Sequence, residues 1–188
     1  QEWDVLGVDE AVEAVAGDDD RLTEAVAQAL AGPSFRLYAS SDRIGVELAG
    51  ALKNVYALAA GAVDGAQLGA SAKAGLIARA FAEMGRLLPA LGGRAETLGG
   101  LAGLGDLTLS CTSTQSRNYR YGFALAHGGA LPVDLAEGVF TAPVALRLAQ
   151  QAGVDAPLIE AVNHLLGGRA SIERIVAGLM SRPLKRET

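Results

Sequence analysis

Short apolar runs at residues 12–16 and 35–39 predict strands. Between them Asp18, Asp19 and Asp20 place carboxylates at a helix start. Leu22, Val26 and Leu30 then mark one helical face, and Gly32-Pro33 supplies the stop. The first forty residues therefore read as strand, helix, strand, one unit of an α/β layer, with the polar run Ser40-Ser41-Asp42-Arg43 behind it.

From Ile44 the texture changes. Residues 46–63 are almost continuously apolar and built from small side chains, which predicts a helix buried on all sides. Each glycine inside it costs about 1 kcal/mol relative to alanine, so close packing must compensate. Residues 72–91 carry Leu76, Ile77, Ala80, Met84, Leu87, Leu88 and Leu91 on one face, with Arg79 and Glu83 spaced as an i, i+4 pair. Pro89 is expected to kink or fray the last turn before Gly92-Gly93. The glycine-rich residues 98–105 match neither the dinucleotide fingerprint nor the Walker pattern, and read as turn and close-packing positions. A polar turn at 112–118, a helix ending at Gly128-Gly129, and helices at about 142–152, 157–166 and 171–180 complete an all-helical body.

Composition narrows the class. Half of the 188 residues are apolar, and alanine and glycine together make about a third of the chain. No run of 18 apolar residues is free of charge, and the acidic start lacks a basic n-region, so no membrane span or signal peptide is expected. The single Cys111 allows neither an internal disulfide nor a zinc site and fits a reducing, cytoplasmic compartment. Net charge is −5, yet Glu2, Asp4, Asp9, Glu10, Glu13, Asp18, Asp19 and Asp20 all fall in the first twenty residues. The remainder, with 16 cations against 13 carboxylates, is mildly basic. An acidic whole argues against nucleic acid as a partner, while that body suits a small anionic substrate.

Polar residues that interrupt apolar sequence are the candidates for chemistry. Lys53 breaks the most apolar helix; an ammonium withdrawn from water there has a lowered pKa and serves as a proton acceptor or carbonyl polariser, whereas a lysine at a helix edge snorkels to solvent. Asn54 beside it, and Glu47 one heptad earlier, need partners of their own. Ser116, Arg117 and Asn118 set a hydroxyl, a guanidinium fork and an amide at a helix start, an arrangement suited to phosphate or to ordinary capping. Asp106 reads either as a helix cap or as a carboxylate holding a substrate hydroxyl. Cys111 reads as core, and His127 and His164 as cap or surface residues. Trp3 carries no signal, and no metal cluster is written in the sequence.

Taken together, Gly-Ala-Leu-Lys-Asn at 50–54, Ala-Gly-Ala-Val-Asp-Gly at 60–65, Ala-Glu-Met at 82–84, Gly-Leu-Gly-Asp-Leu-Thr-Leu-Ser-Cys-Thr at 103–112 and Gln-Ser-Arg-Asn at 115–118 resemble the bacterial NAD(P)-dependent sn-glycerol-3-phosphate dehydrogenase family in order and spacing. The resemblance, over about residues 18–180, implies a mainly α, multi-helix substrate domain of the 6-phosphogluconate-dehydrogenase C-terminal type at 43–188. Residues 1–42 would be a remnant of a Rossmann dinucleotide-binding domain. It also implies interconversion of sn-glycerol 3-phosphate and dihydroxyacetone phosphate for glycerophospholipid synthesis, with NAD or NADP as cofactor and a homodimer as the assembly.

Position by position, the resemblance makes Lys53 catalytic. Lys53, Asn54, Asp106, Ser110, Ser116, Arg117 and Asn118 would bind substrate, and Arg117 and Glu137 would meet the cofactor. Three features depart from the family pattern. Most of the dinucleotide domain is missing, so the chain is expected to be inactive alone; Ser110 stands in a usual threonine position; and residues 128–137 are shorter than is usual. The alternatives are the substrate domain of a related hydroxy-acid or ketoacid dehydrogenase, and a non-catalytic helical dimerisation module.

Overall fold

The structure is a computed structural model that describes residues 11–181. Trp3, Glu2, Asp4, Asp9 and Glu10 of the acidic stretch, and residues 182–188, lie outside the described residues. Strand β1 (Ala11–Ala16), helix α1 (Asp20–Leu30) and strand β2 (Phe35–Ser40) form a parallel β-α-β unit, with Ala11 opposite Phe35 and Ala16 opposite Ser40. Within the acidic triplet, Asp19 is the cap and accepts from Leu22 N at 3.2 Å, while Asp18 pairs with Arg43 at 3.1 Å. The predicted Leu22/Leu30 face is not the packed one: both leucines are largely exposed, and Thr23 and Ala27 are buried. Small side chains let a crossover helix lie close to a two-stranded sheet, which bulkier leucines would hold off.

The body is helical: α2 (Arg43–Gly65), α3 (Ala70–Ala90), α4 (Asp106–Thr112), α5 (Arg117–His127), α6 (Glu137–Gln151), α7 (Pro157–Leu166) and α8 (Ile172–Met180). Short 3₁₀ (Ala95–Gly99) and π (Leu101–Gly105) turns join α3 to α4. Helix α2 is the hub, and α3, α4, α5, α6 and α7 all pack on it. It is long and apolar enough to cross a membrane by composition alone, but Val55, Tyr56, Ala57, Leu58 and Ala60 are buried in the protein core. Its glycines explain the closeness. A Cβ on Gly61 would collide with the Tyr119 carbonyl of α5, and one on Gly122 of α5 with the Leu58 carbonyl of α2. Backbone thus meets backbone where any side chain would hold the helices apart.

Two packing expectations change. Glu83 does not pair with Arg79; it is 1% exposed and turns inward. There it accepts from Tyr56 Oη at 3.2 Å, Leu158 N at 2.9 Å and Ile159 N at 3.1 Å, so a carboxylate of α3 caps α7. Burial pushes its pKa up, against the opposing effect of those three donors. Helix α6 begins at Glu137, well before residue 142, and carries Pro143 inside it. The bond of the Gly138 amide to Asn118 Oδ1 and the close seat of Gly138 on Asn54 start the helix ahead of the proline.

Candidate active site at the junction of α2, α4, α5 and α6

Lys53 leaves α2 toward the first residue of α4, where its ammonium pairs with the Asp106 carboxylate. The two side chains are 24% and 22% exposed, so the lysine is neither stranded in oil nor snorkelled away from company. Of the two alternatives the sequence left open, an unpaired buried amine and a snorkelled one, neither describes this carboxylate-paired, partly buried lysine. Asp106 is not a cap either. Gly105 precedes it in helical conformation without a capping bond, since the π turn runs directly into α4 and leaves no helix start to cap.

Asn54, next on α2, begins a relay to α5 and α6. Its Nδ2 donates to Glu137 Oε2 at 3.2 Å, and its Oδ1 accepts from Asn118 Nδ2 at 2.9 Å. Asn118 is 6% exposed and spends its own Oδ1 on the Gly138 amide at 2.8 Å. Glu137 Oε1 accepts from Arg117 Nη2 at 3.2 Å, which closes a hydrogen-bonded series from Asn118 through Asn54 and Glu137 to Arg117, beside the separate Lys53–Asp106 pair. Gly138 is needed here, because a Cβ on it would press on the Asn54 carbonyl. Among the described residues no buried side-chain nitrogen or oxygen lacks a partner.

The other expected residues divide. Ser110 lies half-buried one turn beyond Asp106 on α4, on the same face. Ser116 caps α5, its Oγ accepting from Tyr119 N at 3.3 Å. Glu47 does not join Asn54; it is exposed and pairs with Arg43 at 3.0 Å, a local contact that solvent favours over burial. Cys111 is wholly buried, with its thiol pushed up to about 12 by desolvation, and has no reactive character. A hollow of about 300 Å³ lies elsewhere, against Ala14, Tyr38, Ser40, Val46, Thr97 and Leu101, and none of the expected site residues forms its wall.

A second cluster escaped the sequence reading. Asp64 at the end of α2 accepts from Lys73 Nζ of α3 at 2.6 Å and from the Tyr119 hydroxyl of α5. Burial pushes the Asp64 carboxyl up, but the Lys73 and Tyr119 hydrogen bonds outweigh it and hold the group below its usual value. Asp64-Gly65 stands inside one of the quoted motifs, which was the available signal, but its partners come from two other helices.

The sequence profile described as NAD-dependent glycerol-3-phosphate dehydrogenase C-terminus matches residues 42–177. The glycerol-3-phosphate dehydrogenase [NAD(P)+] of Mesorhizobium japonicum is 53% identical over 175 residues, covering 93% of this chain and 51% of that protein. Its Agrobacterium fabrum counterpart is 50% identical over 176 residues, covering 93% and 54%. The crystal structure of glycerol-3-phosphate dehydrogenase from Coxiella burnetii superposes with a TM-score of 0.84 at 39% identity, covering 90% of this chain and 54% of that one. The chain spans about half the length of the curated relatives it matches. On the matched profile, which takes in the Lys53–Asp106 pair and the Asn54–Glu137–Arg117 relay alike, the chain belongs to the NAD-dependent glycerol-3-phosphate dehydrogenase family and carries that family's C-terminal region.

Proposed function

We propose that this chain forms the substrate side of an NAD(P)-dependent oxidoreductase that interconverts sn-glycerol 3-phosphate and dihydroxyacetone phosphate, in the service of glycerophospholipid synthesis. The observation that carries the reading is the Lys53–Asp106 pair, with Lys53 next in sequence to Asn54 of the hydrogen-bonded Asn54–Glu137–Arg117 relay, the two together set across four helices. Lys53 Nζ donates the proton to the carbonyl oxygen during ketone reduction and takes it back during alcohol oxidation. Asp106 holds the ammonium and accepts from a substrate hydroxyl. Asn54 steadies the reacting oxygen, and Ser110 contributes its hydroxyl from the same face of α4. Arg117 grips the phosphate two-pronged beside Ser116 and Asn118, so that binding energy remote from the reacting carbon orients it.

The donor set also fits a dinucleotide: Arg117 is a half-exposed cation for a pyrophosphate, and Glu137 a half-exposed acceptor for ribose hydroxyls. NAD(P)H supplies the hydride when bound. Residues 1–42 are read as part of the nucleotide-binding domain and 43–188 as the substrate domain, a division supported by the parallel β-α-β unit ahead of the helices. A cytoplasmic setting fits the single buried cysteine. A homodimer is supported by the exposed apolar side chains of Leu131, Val133 and Leu135 ahead of α6 and Phe140 on it. Sedimentation equilibrium is expected to give twice the monomer mass; monomer alone at all concentrations would refute the dimer.

On the full-length gene product, Lys53→Met is expected to lower turnover of dihydroxyacetone phosphate with NADH about 10²–10⁴-fold. Arg117→Gln should raise KM for the phosphorylated substrate more than it lowers kcat. Unchanged kinetics in both variants would sink the assignment.

A further inference from the structure

Glu137 holds two of the groups expected to meet ligands: its Oε1 accepts from Arg117 Nη2 at 3.2 Å and its Oε2 from Asn54 Nδ2 at 3.2 Å. We propose that Glu137 is an internal anion that occupies the Arg117 guanidinium until an external phosphate displaces it, and that this exchange sets the affinity of the site for phosphorylated ligands. The inference rests on the reading of Arg117 as the phosphate anchor.

Two observations make the exchange physically easy. The Arg117 and Glu137 side chains are 51% and 52% exposed, against 24% and 22% for Lys53 and Asp106, so the arginine pair is the one an anion reaches from solvent. The start of α6 is held independently of the Glu137 side chain, by the Gly138 amide on Asn118 Oδ1 at 2.8 Å and by the tight seat of Gly138 over Asn54. The carboxylate therefore leaves by rotating its own side chain while the backbone stays in place. A phosphate brings more charge and more oxygens than the carboxylate it replaces, and arginine binds it two-pronged where Glu137 takes a single Arg117 bond. The Lys53–Asp106 pair is untouched by the exchange.

The test is calorimetric titration of this chain with inorganic phosphate and, separately, with sn-glycerol 3-phosphate. Glu137→Gln keeps an oxygen for Asn54 while removing the competing charge; it is expected to tighten binding of both by about two- to fivefold, the range of a half-exposed ion pair. Glu137→Ala should tighten it as well, with circular dichroism confirming that both variants are folded. Equal or weaker binding in both Glu137 variants, or no detectable binding in any protein, overturns the proposal. If Arg117→Gln abolishes binding while Glu137→Gln leaves it unchanged, the internal-anion role fails and the phosphate-anchor reading stands. If Arg117→Gln binds phosphate as well as the parent chain, both fail.

Discussion

Asp42 shows how much a single residue can be asked to hold. It caps α2 by accepting from Gly45 N at 3.0 Å, and it also accepts from Arg94 N at 2.8 Å and from the Thr97 hydroxyl, which fastens the segment after α3 to the start of the central helix. Burial pushes its carboxyl up, but the Thr97, Arg94 and Gly45 bonds together outweigh that and hold it below the usual aspartate range. A carboxyl whose folded pKa is depressed stabilises the fold above its unfolded pKa, about 3.9, and loses that contribution as pH falls through the folded value. Asp42→Ala should therefore cost stability at neutral pH, and the gap between variant and parent should narrow as pH falls below about 4. Urea midpoints measured across pH 3–7 check this; a gap independent of pH would count against it. Asp42 was read from the sequence only as part of a polar run, because its partners at Arg94 and Thr97 lie more than fifty residues away.

Elements are joined here by what glycine leaves out. The crossing of α2 on α5 needs Gly61 and Gly122, whose missing side chains admit the Tyr119 and Leu58 carbonyls, and this approach brings Asn118 within reach of Asn54. Gly61→Ala should force the helices apart and destabilise the fold by about 1–3 kcal/mol. Gly75, in α3 with no atom within 4 Å of a built Cβ, is the control: Gly75→Ala should stabilise by about 0.5–1 kcal/mol through helix propensity alone. Thermal unfolding of the two variants decides the matter, and equal effects of one sign would contradict the packing account. Periodicity located α3 and the buried Ala80, Met84, Leu87 and Leu88 on its face, while the continuous run of small apolar residues located α2. Periodicity failed at the start of α6, read at about residue 142 but set at Glu137, where the Gly138 amide is held by Asn118 from another helix.

At the scale of the whole molecule, the main buried cluster contains no residue before α2, and the β-α-β unit is tied on through the Asp18–Arg43 pair and the neighbourhood of Asp42. Removing residues 1–41 should leave a cooperatively melting helical body, with a melting temperature lower by at most about 5 °C, the shift expected for about 1–2 kcal/mol in a domain of this size. Circular dichroism melts test this, and a broad, non-cooperative transition would refute it. The sequence by itself determined the strand-helix-strand start, the order of the longer helices, the apolar hub at 46–63 and the short motifs that mark the family, because these depend on residue type and near-neighbour spacing. Only the tertiary structure decided that Asp106 faces Lys53, that Glu83 caps α7 and that Glu137 sits between Asn54 and Arg117. Those partners are separated by some twenty to eighty positions, and which side chains meet is set by how closely the glycine-lined helices pack, a property no local window contains.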